Sequence, residues 1–182
     1  MIHPLSDVQT KNIGDNTSIW QYCVVLKDAV IGSNCNINAH CFIENDVVVG
    51  NNVTLKCGVY LWNGTRIADD VFIGPNVTFV NNKRPRSKQH VQTPDTIIHR
   101  GASLGAAAVI GGGIEIGAYA MIGMGAVVTK NIPAHALVYG NPARIMGWVD
   151  EQGNALIKQE DDAWYSANGN KYRLTENGME KL

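Results

Sequence analysis

The sequence predicts an all-β fold, a parallel β-helix built from six-residue repeats. From Ile13 to Phe79 every sixth residue is apolar, and after a break the series resumes at Ile98 and continues to Val128. A second series of small or β-branched residues follows the first by four positions. Between the two series lie mostly Gly, Asn and Asp, which favour tight turns. A fixed period of this kind is typical of repeat architectures.

Each repeat fits one short strand and one tight corner. A period of six matches neither the 3.6-residue period of a helix nor the two-residue alternation of a simple strand. Three repeats then close one triangular coil, so that residues 18 positions apart stack at the ~4.8 Å spacing of neighbouring strands. The core of such a prism is narrow. This explains why a chain of 182 residues contains 19 glycines and only 7% aromatic residues.

The repeat divides the chain into four segments. Residues 1–12 precede the repeat as an N-terminal cap, and residues 13–133 form the β-helix, with a protruding loop at residues 80–97. Residues 134–148 follow as an exit strand and turn. Residues 149–182 have the pattern of short β-hairpins, which we expect to cover the open strand edge at the end of the prism.

Charge and cysteine usage exclude several classes of protein. A formal net charge of −1 argues against a nucleic-acid-binding protein, and no apolar run is long enough to span a membrane. The first twelve residues lack the apolar core of a signal peptide, so we expect a cytoplasmic protein. Cys23, Cys35, Cys41 and Cys57 form no CxxC pair, which argues against a zinc site or a disulfide framework. We expect the cysteines to fill the core.

The loop leaves the prism at a corner where asparagines stack. By phase, Asn45, Asn63 and Asn81 lie above one another there, and Gly112 and Gly113 lie directly beyond the loop. Glycines let another chain or a ligand approach the backbone closely, and an N–H group near Gly112 is a candidate donor to a thioester oxygen. The alternative is that asparagine simply suits a tight corner.

The loop also gathers positive charge. Lys83, Arg84 and Arg86 follow one another within four residues, with Lys88 close behind. Arginine has a planar fork of donors that suits phosphate groups, so these residues are candidates for binding a phosphorylated ligand. The alternatives are a solvated surface loop and a nucleic-acid patch, the latter disfavoured by the net charge of the chain.

The repeats from Ile13 to about Trp148 resemble those of the hexapeptide-repeat acyltransferases. That resemblance implies a left-handed β-helix and a homotrimer with sites between subunits. Residues 39–45, 62–64 and 72–87 are similar to the corresponding segments of N-acetyltransferases acting on dTDP-3-amino-3,6-dideoxyhexoses, which more often carry Thr where this chain has Val80. The resemblance therefore implies transfer of an acetyl group from acetyl-CoA to a nucleotide-linked amino sugar, for surface polysaccharide and lipopolysaccharide precursors.

The resemblance extends to the end of the prism. Residues 128–144, which close with Gly-Asn-Pro-Ala-Arg, resemble the stretch that packs against coenzyme A in related enzymes. This implies contacts from Asn141 and Pro142, with Lys130 and Arg144 facing the phosphates. The alternative is a simple turn that ends the solenoid. The smooth groove expected for the pantetheine arm is assigned to Gly105, Ala106, Gly117, Ala118, Gly123, Gly125 and Ala126. Ala108, Gly112 and Gly113 are further cofactor-binding candidates.

The acceptor side is assigned on the same grounds. Asn81 and Asn82 are expected to position the sugar, and Glu44 to accept its ammonium group. The further substrate-binding candidates are Asn45, Trp62, Asn63, Lys83, Arg84 and Arg86. Histidine is the usual base when a hydroxyl is acylated. His40 lies on another corner and would need to face the site from a neighbouring subunit, while His99 directly follows the return of the loop.

Other functions stay open at this point. Within the same chemistry the alternatives are acetylation of a UDP-linked amino sugar and of a hydroxyl. A γ-class carbonic anhydrase needs three histidines on zinc, and the five histidines here lack its usual spacing. A non-catalytic scaffold would not need the polar loop. Some relatives carry a cysteine knuckle near the C-terminus, but Asp150, Gln152, Tyr165 and Asn168 stand at those positions, so we expect no metal.

Overall fold

The computed structural model describes residues 1–89, 94–159 and 163–182. Within these ranges every regular element is a β-strand, and none of the described residues belongs to a helix that could cross a membrane. The strands are β1 (Asp7–Val8), β2 (Ser18–Ile19), β3 (Val24–Val25), β4 (Val30–Ile31), β5 (Asn36–Ile37), β6 (Phe42–Ile43), β7 (Val48–Val49), β8 (Thr54–Leu55), β9 (Tyr60–Leu61), β10 (Thr65–Ile67), β11 (Phe72–Ile73), β12 (Thr78–Phe79), β13 (Thr96–Ile98), β14 (Ser103–Leu104), β15 (Val109–Ile110), β16 (Glu115–Ile116), β17 (Met121–Ile122), β18 (Val127–Val128), β19 (Ala136–Tyr139), β20 (Arg144–Trp148), β21 (Ile157–Lys158), β22 (Trp164–Tyr165), β23 (Lys171–Thr175) and β24 (Gly178–Lys181).

Three parallel sheets form the three faces of a prism. Face A consists of β2, β5, β8, β11, β14, β17 and β19, with β20 added antiparallel; face B of β1, β3, β6, β9, β12, β15 and β18; face C of β4, β7, β10, β13 and β16. Residues 18 apart pair as expected, for example Val25 with Ile43 and Ile43 with Leu61. The prediction of a parallel β-helix is confirmed, and the geometry is consistent with a left-handed hexapeptide-repeat helix.

The core contains both apolar series. From Ile19 onward the described members of the first series are buried, and Ile13, at the open end, is only partly buried. Burying a side chain such as Ile73 contributes about 1.5–3 kcal/mol. All four cysteines are free thiols; Cys23, Cys35 and Cys41 are buried as expected, whereas Cys57 is exposed because it lies in a corner. Burial raises the pKa of the Cys35 thiol, which donates to Gly50 O at 3.1 Å.

The three corners differ in their backbone. Corner AB, between faces A and B, repeats a left-handed residue in every coil from Tyr22 to Gly125, and corner CA does so from Asn16 to His135. In corner AB these residues are Tyr22, His40, Gly58, Asn76, Ala107 and Gly125; in corner CA they are Asn16, Asn34, Asn52, Asp70, Gly101, Tyr119 and His135. Corner BC has a different turn, with positive φ only at Gly64 and Gly113 among the described residues.

The loop interrupts the stacking at corner BC. Phe79 pairs with Ile110, 31 positions later, as Thr65 does with Thr96, whereas the coils before the loop pair at 18 positions from Ile13 onward. The expected loop of residues 80–97 is two residues too long, because Thr96 is buried and begins β13, which pairs with β10. The loop therefore occupies residues 80–95, of which residues 90–93 lie outside the described part of the chain.

Both ends of the prism depart from the simple four-segment division. The first twelve residues already belong to a coil, since Ile2 pairs with Ile19 and β1 with β3. At the other end β19 continues face A in parallel with β17, and β20 then returns antiparallel along β19. The remaining strands β21 to β24 form a separate antiparallel sheet.

That antiparallel sheet is attached to the last coil. Ala134 pairs with Gly178, and the Met179 N–H donates to Ala134 O at 3.1 Å. Beside this contact His135 lies buried, its ring stacked on Tyr119 and edge-on to Tyr172. Burial lowers the pKa of His135. His135 therefore belongs to the attachment of the C-terminal sheet, where its Nδ1 atom lies 2.9 Å from Val149 O.

Candidate active site

Corner BC brings together the acceptor-side candidates. The Asn63 side-chain oxygen accepts from Asp46 N–H at 2.8 Å, and the Asn63 N–H donates to Glu44 Oε2 at 2.6 Å. Asn63 thus binds a neighbouring backbone group through its side chain and a carboxylate through its own backbone. Asn45, Asn63 and Asn81 are exposed, so their side chains remain accessible along one edge of the prism, which we call the asparagine edge.

Gly112 covers the point at which the loop leaves the prism. A Cβ atom at this position would lie 2.7 Å from Val80 O and 3.1 Å from Asn81 O, so only glycine fits. At Gly113, where φ is +64°, a Cβ would meet the Pro94 ring on the returning side of the loop. The two glycines therefore let the corner contact both ends of the loop.

The basic loop residues are exposed. The Asn82 side-chain oxygen accepts from Arg84 N–H at 2.8 Å, which commits that oxygen to the turn of the loop. Arg86 donates to the neighbouring Pro85 carbonyl at 3.0 Å. Arg84 and Arg86 are both exposed, as a phosphate-binding role requires.

An aromatic groove of about 370 Å³ on face B joins this edge to corner AB. The rings of Phe42, Tyr60 and Trp62 lie with their centroids 5.6–6.4 Å apart, and His40 stacks on Tyr22 at 5.0 Å. The Trp62 indole is held by a hydrogen bond to Phe79 O at 2.8 Å. Sequence reasoning selected only Trp62 and His40 here, although the 18-residue spacing of Phe42 and Tyr60 would have indicated their stacking.

Corner AB carries a strip of small residues near its C-terminal end. Its coils stack closely, since Gly125 N–H donates to Ala106 O and Val127 N–H to Gly140 O, both at 2.9 Å. A Cβ at Gly125 would meet nothing within 4 Å, so the surface there is open. Asn141 and Pro142 are exposed in the turn that follows, and the strip is interrupted by Met124, which is 82% exposed.

Several cofactor-side candidates do not belong to this strip. Ala108 and Ala126 are completely buried in the core, so their side chains cannot contact a ligand, because they occupy the inward-facing second series. Gly117 and Ala118 lie at corner CA. Lys130 follows β18 into corner BC.

Arg144 instead lies at the start of β20, opposite Tyr139 on face A. Lys130 and Arg144 are therefore on different corners of one chain. Corner BC also holds Gly112 and Gly113, which sequence reasoning grouped with the cofactor side.

The two candidate bases are also separated from Asn81 within the chain. His40 is exposed at corner AB, while His99 begins corner CA and lies 3.5 Å from Glu115 through Nε2 and Oε2. His99 and Glu115 line a cavity of about 500 Å³ beside Asn177 of the C-terminal sheet. Within a single chain, therefore, the asparagine edge contains no histidine among the described residues.

No metal centre accompanies these residues. Across residues 1–89, 94–159 and 163–182, no group of three or more His, Cys, Asp or Glu side chains is placed to hold a metal ion. At the position of the expected cysteine knuckle, Asp150 instead accepts hydrogen bonds from the N–H groups of Gln152 and Asn154 at 3.0 and 2.8 Å. A carboxylate-capped turn thus replaces the knuckle.

The arrangement divides into two functional surfaces. Corner BC offers exposed amides, a carboxylate and guanidinium groups, which suit a sugar joined to phosphates. Corner AB offers an open strip of small residues, which suits a flexible thin chain such as pantetheine. Transfer between two bound substrates requires that such surfaces meet, so that the reacting atoms lie within ~3.5 Å.

Comparison with known proteins identifies the repeat. The family model described as bacterial transferase hexapeptide (six repeats) matches residues 10–45, 46–81 and 95–130. The gap between the last two matches corresponds to the loop. The match thus follows the three-sided coils.

Known enzymes are similar to the chain as a whole. It is 50% identical over 182 residues to a dTDP-3-amino-3,6-dideoxy-alpha-D-galactopyranose 3-N-acetyltransferase from Aneurinibacillus thermoaerophilus, covering 100% of this chain and 94% of that protein. Two solved structures share the fold. A UDP-N-acetylglucosamine acyltransferase from Bacteroides fragilis has a TM-score of 0.67 and 21% identity, covering 81% of this chain and 60% of the other. A hexapeptide-repeat acetyltransferase from Vibrio cholerae, in complex with acetyl coenzyme A, has a TM-score of 0.57 and 23% identity, covering 76% and 70%.

Proposed function

The chain belongs to the bacterial transferase hexapeptide family, and from this premise we propose that it transfers the acetyl group of acetyl-CoA to the amine of a dTDP-linked 3-amino-3,6-dideoxyhexose. That it is an acetyl-CoA-dependent sugar N-acetyltransferase follows from its relatives. The observation that carries the choice of substrate is the 50% identity to the Aneurinibacillus enzyme over the whole chain. The product would enter surface polysaccharide synthesis, and we expect the enzyme to work in the cytoplasm.

The reaction needs a neutral amine and a stabilised oxyanion. The amine nitrogen attacks the thioester carbonyl carbon, the C–N bond forms, the C–S bond breaks, and the coenzyme leaves as its thiol with the proton that the nitrogen gives up. Asn81 would orient the sugar, and Glu44 would attract its ammonium form before the proton is lost. A backbone N–H beside Gly112 would donate to the carbonyl oxygen as negative charge develops there.

The groove on face B suits the nucleobase. Its aromatic rings offer a flat surface beside the asparagine edge, and Trp62 is fixed by its hydrogen bond to Phe79 O. A pyrimidine stacked there would place its diphosphate toward Arg84 and Arg86. This placement accounts for aromatic residues at exposed positions of a protein that has few of them.

Two copies of the chain would complete each site. The asparagine edge at corner BC and the open strip at corner AB face different directions in one prism, so a coenzyme on the strip of one subunit would reach the asparagine edge of the next. In this homotrimer His40 of one subunit would also face the acceptor of its neighbour. The separation of Lys130 from Arg144 has the same explanation, since each would serve a different copy.

The substrate test is a turnover assay. Purified enzyme is mixed with acetyl-CoA and, separately, with dTDP-linked and UDP-linked 3-amino and 4-amino sugars, and the free thiol of coenzyme A is measured. We expect the largest kcat/KM with a dTDP-3-amino sugar. A UDP-linked sugar that is turned over faster would move the proposal to that nucleotide, and no thiol release with any of them would refute it.

The shared site has its own test. Asn81→Ala alters corner BC, and Arg144→Ala alters the coenzyme end. Trimers that contain both variants are prepared by mixing their subunits. If each site uses both corners from different subunits, mixed trimers regain a fraction of the activity, because some sites then contain neither substitution. Mixed trimers without any gain over the separate variants would contradict the shared site.

A further inference from the structure

Arg66 joins the two parts of corner BC that the loop separates in sequence. Its Nη2 atom donates to both carboxylate oxygens of Asp46 at 2.8 and 3.0 Å, and its Nη1 atom donates to Asp46 O at 2.5 Å. Its Nε atom lies 3.8 Å from the carboxylate of Asp95, the residue that ends the loop. One guanidinium group therefore contacts the coil below the loop and the return of the loop.

The same contacts continue into the asparagine edge. Asp46 N–H donates to the side-chain oxygen of Asn63, and the backbone N–H of Asn63 donates to Glu44 Oε2. On the other side of Arg66, Thr96 N–H donates to Gly64 O at 2.9 Å, and Gly113 N–H to Thr96 Oγ1 at 3.0 Å. Arg66 thus lies between two sets of contacts. One set reaches the carboxylate of Glu44, and the other reaches Gly113 beyond the loop.

Stability alone is a weak reason for this arrangement. Arg66 and its partners are partly exposed, with side-chain exposures of 31% for Arg66, 62% for Asp46 and 52% for Asp95. Exposed ion pairs typically contribute only about 0–1 kcal/mol. Donation from both Nη atoms of Arg66 to the backbone and carboxylate oxygens of Asp46, in contrast, fixes direction as well as distance. These contacts are therefore better suited to holding the loop in one position than to stabilising the prism.

We propose that Arg66 is a positioning residue, which fixes the basic loop relative to the asparagine edge and thereby determines the affinity for the nucleotide part of the acceptor. The inference rests on the proposed function, because it takes Arg84 and Arg86 as phosphate-binding groups. Arg66 itself touches neither substrate. Its effect passes through Asp95 to the loop and through Asp46 to the corner.

The chain provides a matched control. Arg100 makes an equivalent pair with Asp70 at 2.8 Å, also between neighbouring coils, but at corner CA, away from the loop. Arg66→Met and Arg100→Met each remove one guanidinium group and one inter-coil ion pair. Arg66→Lys keeps the charge but loses the donation from two guanidinium nitrogens at once, so it separates charge from geometry.

The kinetic test compares these variants on the full-length enzyme. We expect Arg66→Met to raise KM for the nucleotide amino sugar about tenfold, with kcat and the KM for acetyl-CoA changed less than twofold. Arg66→Lys should recover less than half of the loss, and Arg100→Met should match the wild type. Equal kinetics for Arg66→Met and Arg100→Met would overturn the proposal, as would a defect confined to kcat.

A second measurement needs no substrate. Hydrogen exchange at residues 83–89, followed by mass spectrometry, should be several-fold faster in Arg66→Met than in the wild type, and unchanged in Arg100→Met. If no nucleotide sugar is turned over, the proposed function fails while this measurement still reports loop anchoring. Unchanged exchange in Arg66→Met would overturn the positioning role, whatever the substrate is.

Discussion

Corner CA and corner BC use the same residue types in different ways. At corner CA, the Asn52 side chain donates to Asp70 at 2.9 Å and Asn51 donates to Asp69, so side chains of successive coils bond to one another. At corner BC, the asparagine side chains bond to backbone groups, and the corner borders the loop. Similar residues in the same repeat phase thus form a structural ladder at one corner and an accessible edge at the other.

The comparison shows why asparagine at a corner is ambiguous in sequence. Both corners need residues that suit tight turns, and asparagine meets that need at either place. The two corners differ in the chain segment that lies next to them. Corner CA continues without interruption from coil to coil, whereas corner BC is opened by the loop, which brings arginines beside the asparagines.

The largest effect should come from removing the charge at corner BC. In Arg84→Ala/Arg86→Ala we expect KM for the nucleotide sugar to rise about 100-fold, because each charge-assisted hydrogen bond to phosphate contributes ~1.5–3 kcal/mol. The KM for acetyl-CoA should stay within twofold. Arg173→Ala/Lys181→Ala, which removes two charges from the C-terminal sheet, is the control, and an equal effect there would mean that only the overall charge matters.

A smaller loss of activity should follow from shortening one asparagine. Asn81→Ala should lower kcat/KM about tenfold, since the sugar loses an orienting amide. Asn51→Ala at corner CA is the matched control and should stay within twofold. A decrease of less than threefold in Asn81→Ala, under ~0.7 kcal/mol of transition-state stabilisation, would reject the role of Asn81.

The free energy of unfolding should show the opposite order, with Asn51→Ala more affected than Asn81→Ala. Asn51 accepts from Ser33 N–H at 2.8 Å and contacts Asp69, so Asn51→Ala should cost about 1 kcal/mol in the free energy of unfolding. For a chain of this length that is a decrease of ~2–4 °C in Tm by calorimetry. Asn81→Ala should lower Tm by less than Asn51→Ala. The reverse order would mean that the two corners do not differ in this way.

The smallest effect is a dependence on pH at corner CA. The hydrogen bond from Asn52, supported by Arg100, lowers the pKa of Asp70 below its usual value of 3.8. The unfolded chain therefore takes up this proton at a higher pH than the folded chain, so the stability contributed by Asp70 is present above about pH 4 and is lost as the pH falls further. Thermal unfolding of wild type and Asp70→Asn should converge in Tm below pH 4. A Tm difference that is constant from pH 7 to pH 3 would contradict this.

Most of the fold was predictable because the repeat fixes stacking. Once the period of six is known, every position has a phase, and the phase decides whether a residue such as Ile73 is buried or a residue such as Asn63 lies at a corner. The same reasoning placed Gly112 beside Asn81 on either side of the loop. It succeeded there because the series of apolar residues could be followed across the interruption.

The site was predictable only in part, because phase gives which residues stack but not which contacts their side chains make. The sequence assigned Ala108 and Ala126 to the coenzyme surface on account of their size, but they occupy the inward-facing series. It did not reveal Arg66, because the partners of this residue lie on both sides of the loop. Of the residues that line the aromatic groove, the sequence indicated only Trp62 and His40 as site residues.

The sequence by itself determined the prism, its core and the corner from which the loop protrudes, since a strict repeat turns sequence spacing directly into position. The tertiary structure decided which side chains meet across that corner. The loop shifts the register from 18 to 31 positions, so Asp95 reaches Arg66 through the path of the chain and not through the repeat. Contacts that depend on such a path are set by packing in three dimensions, where no period applies.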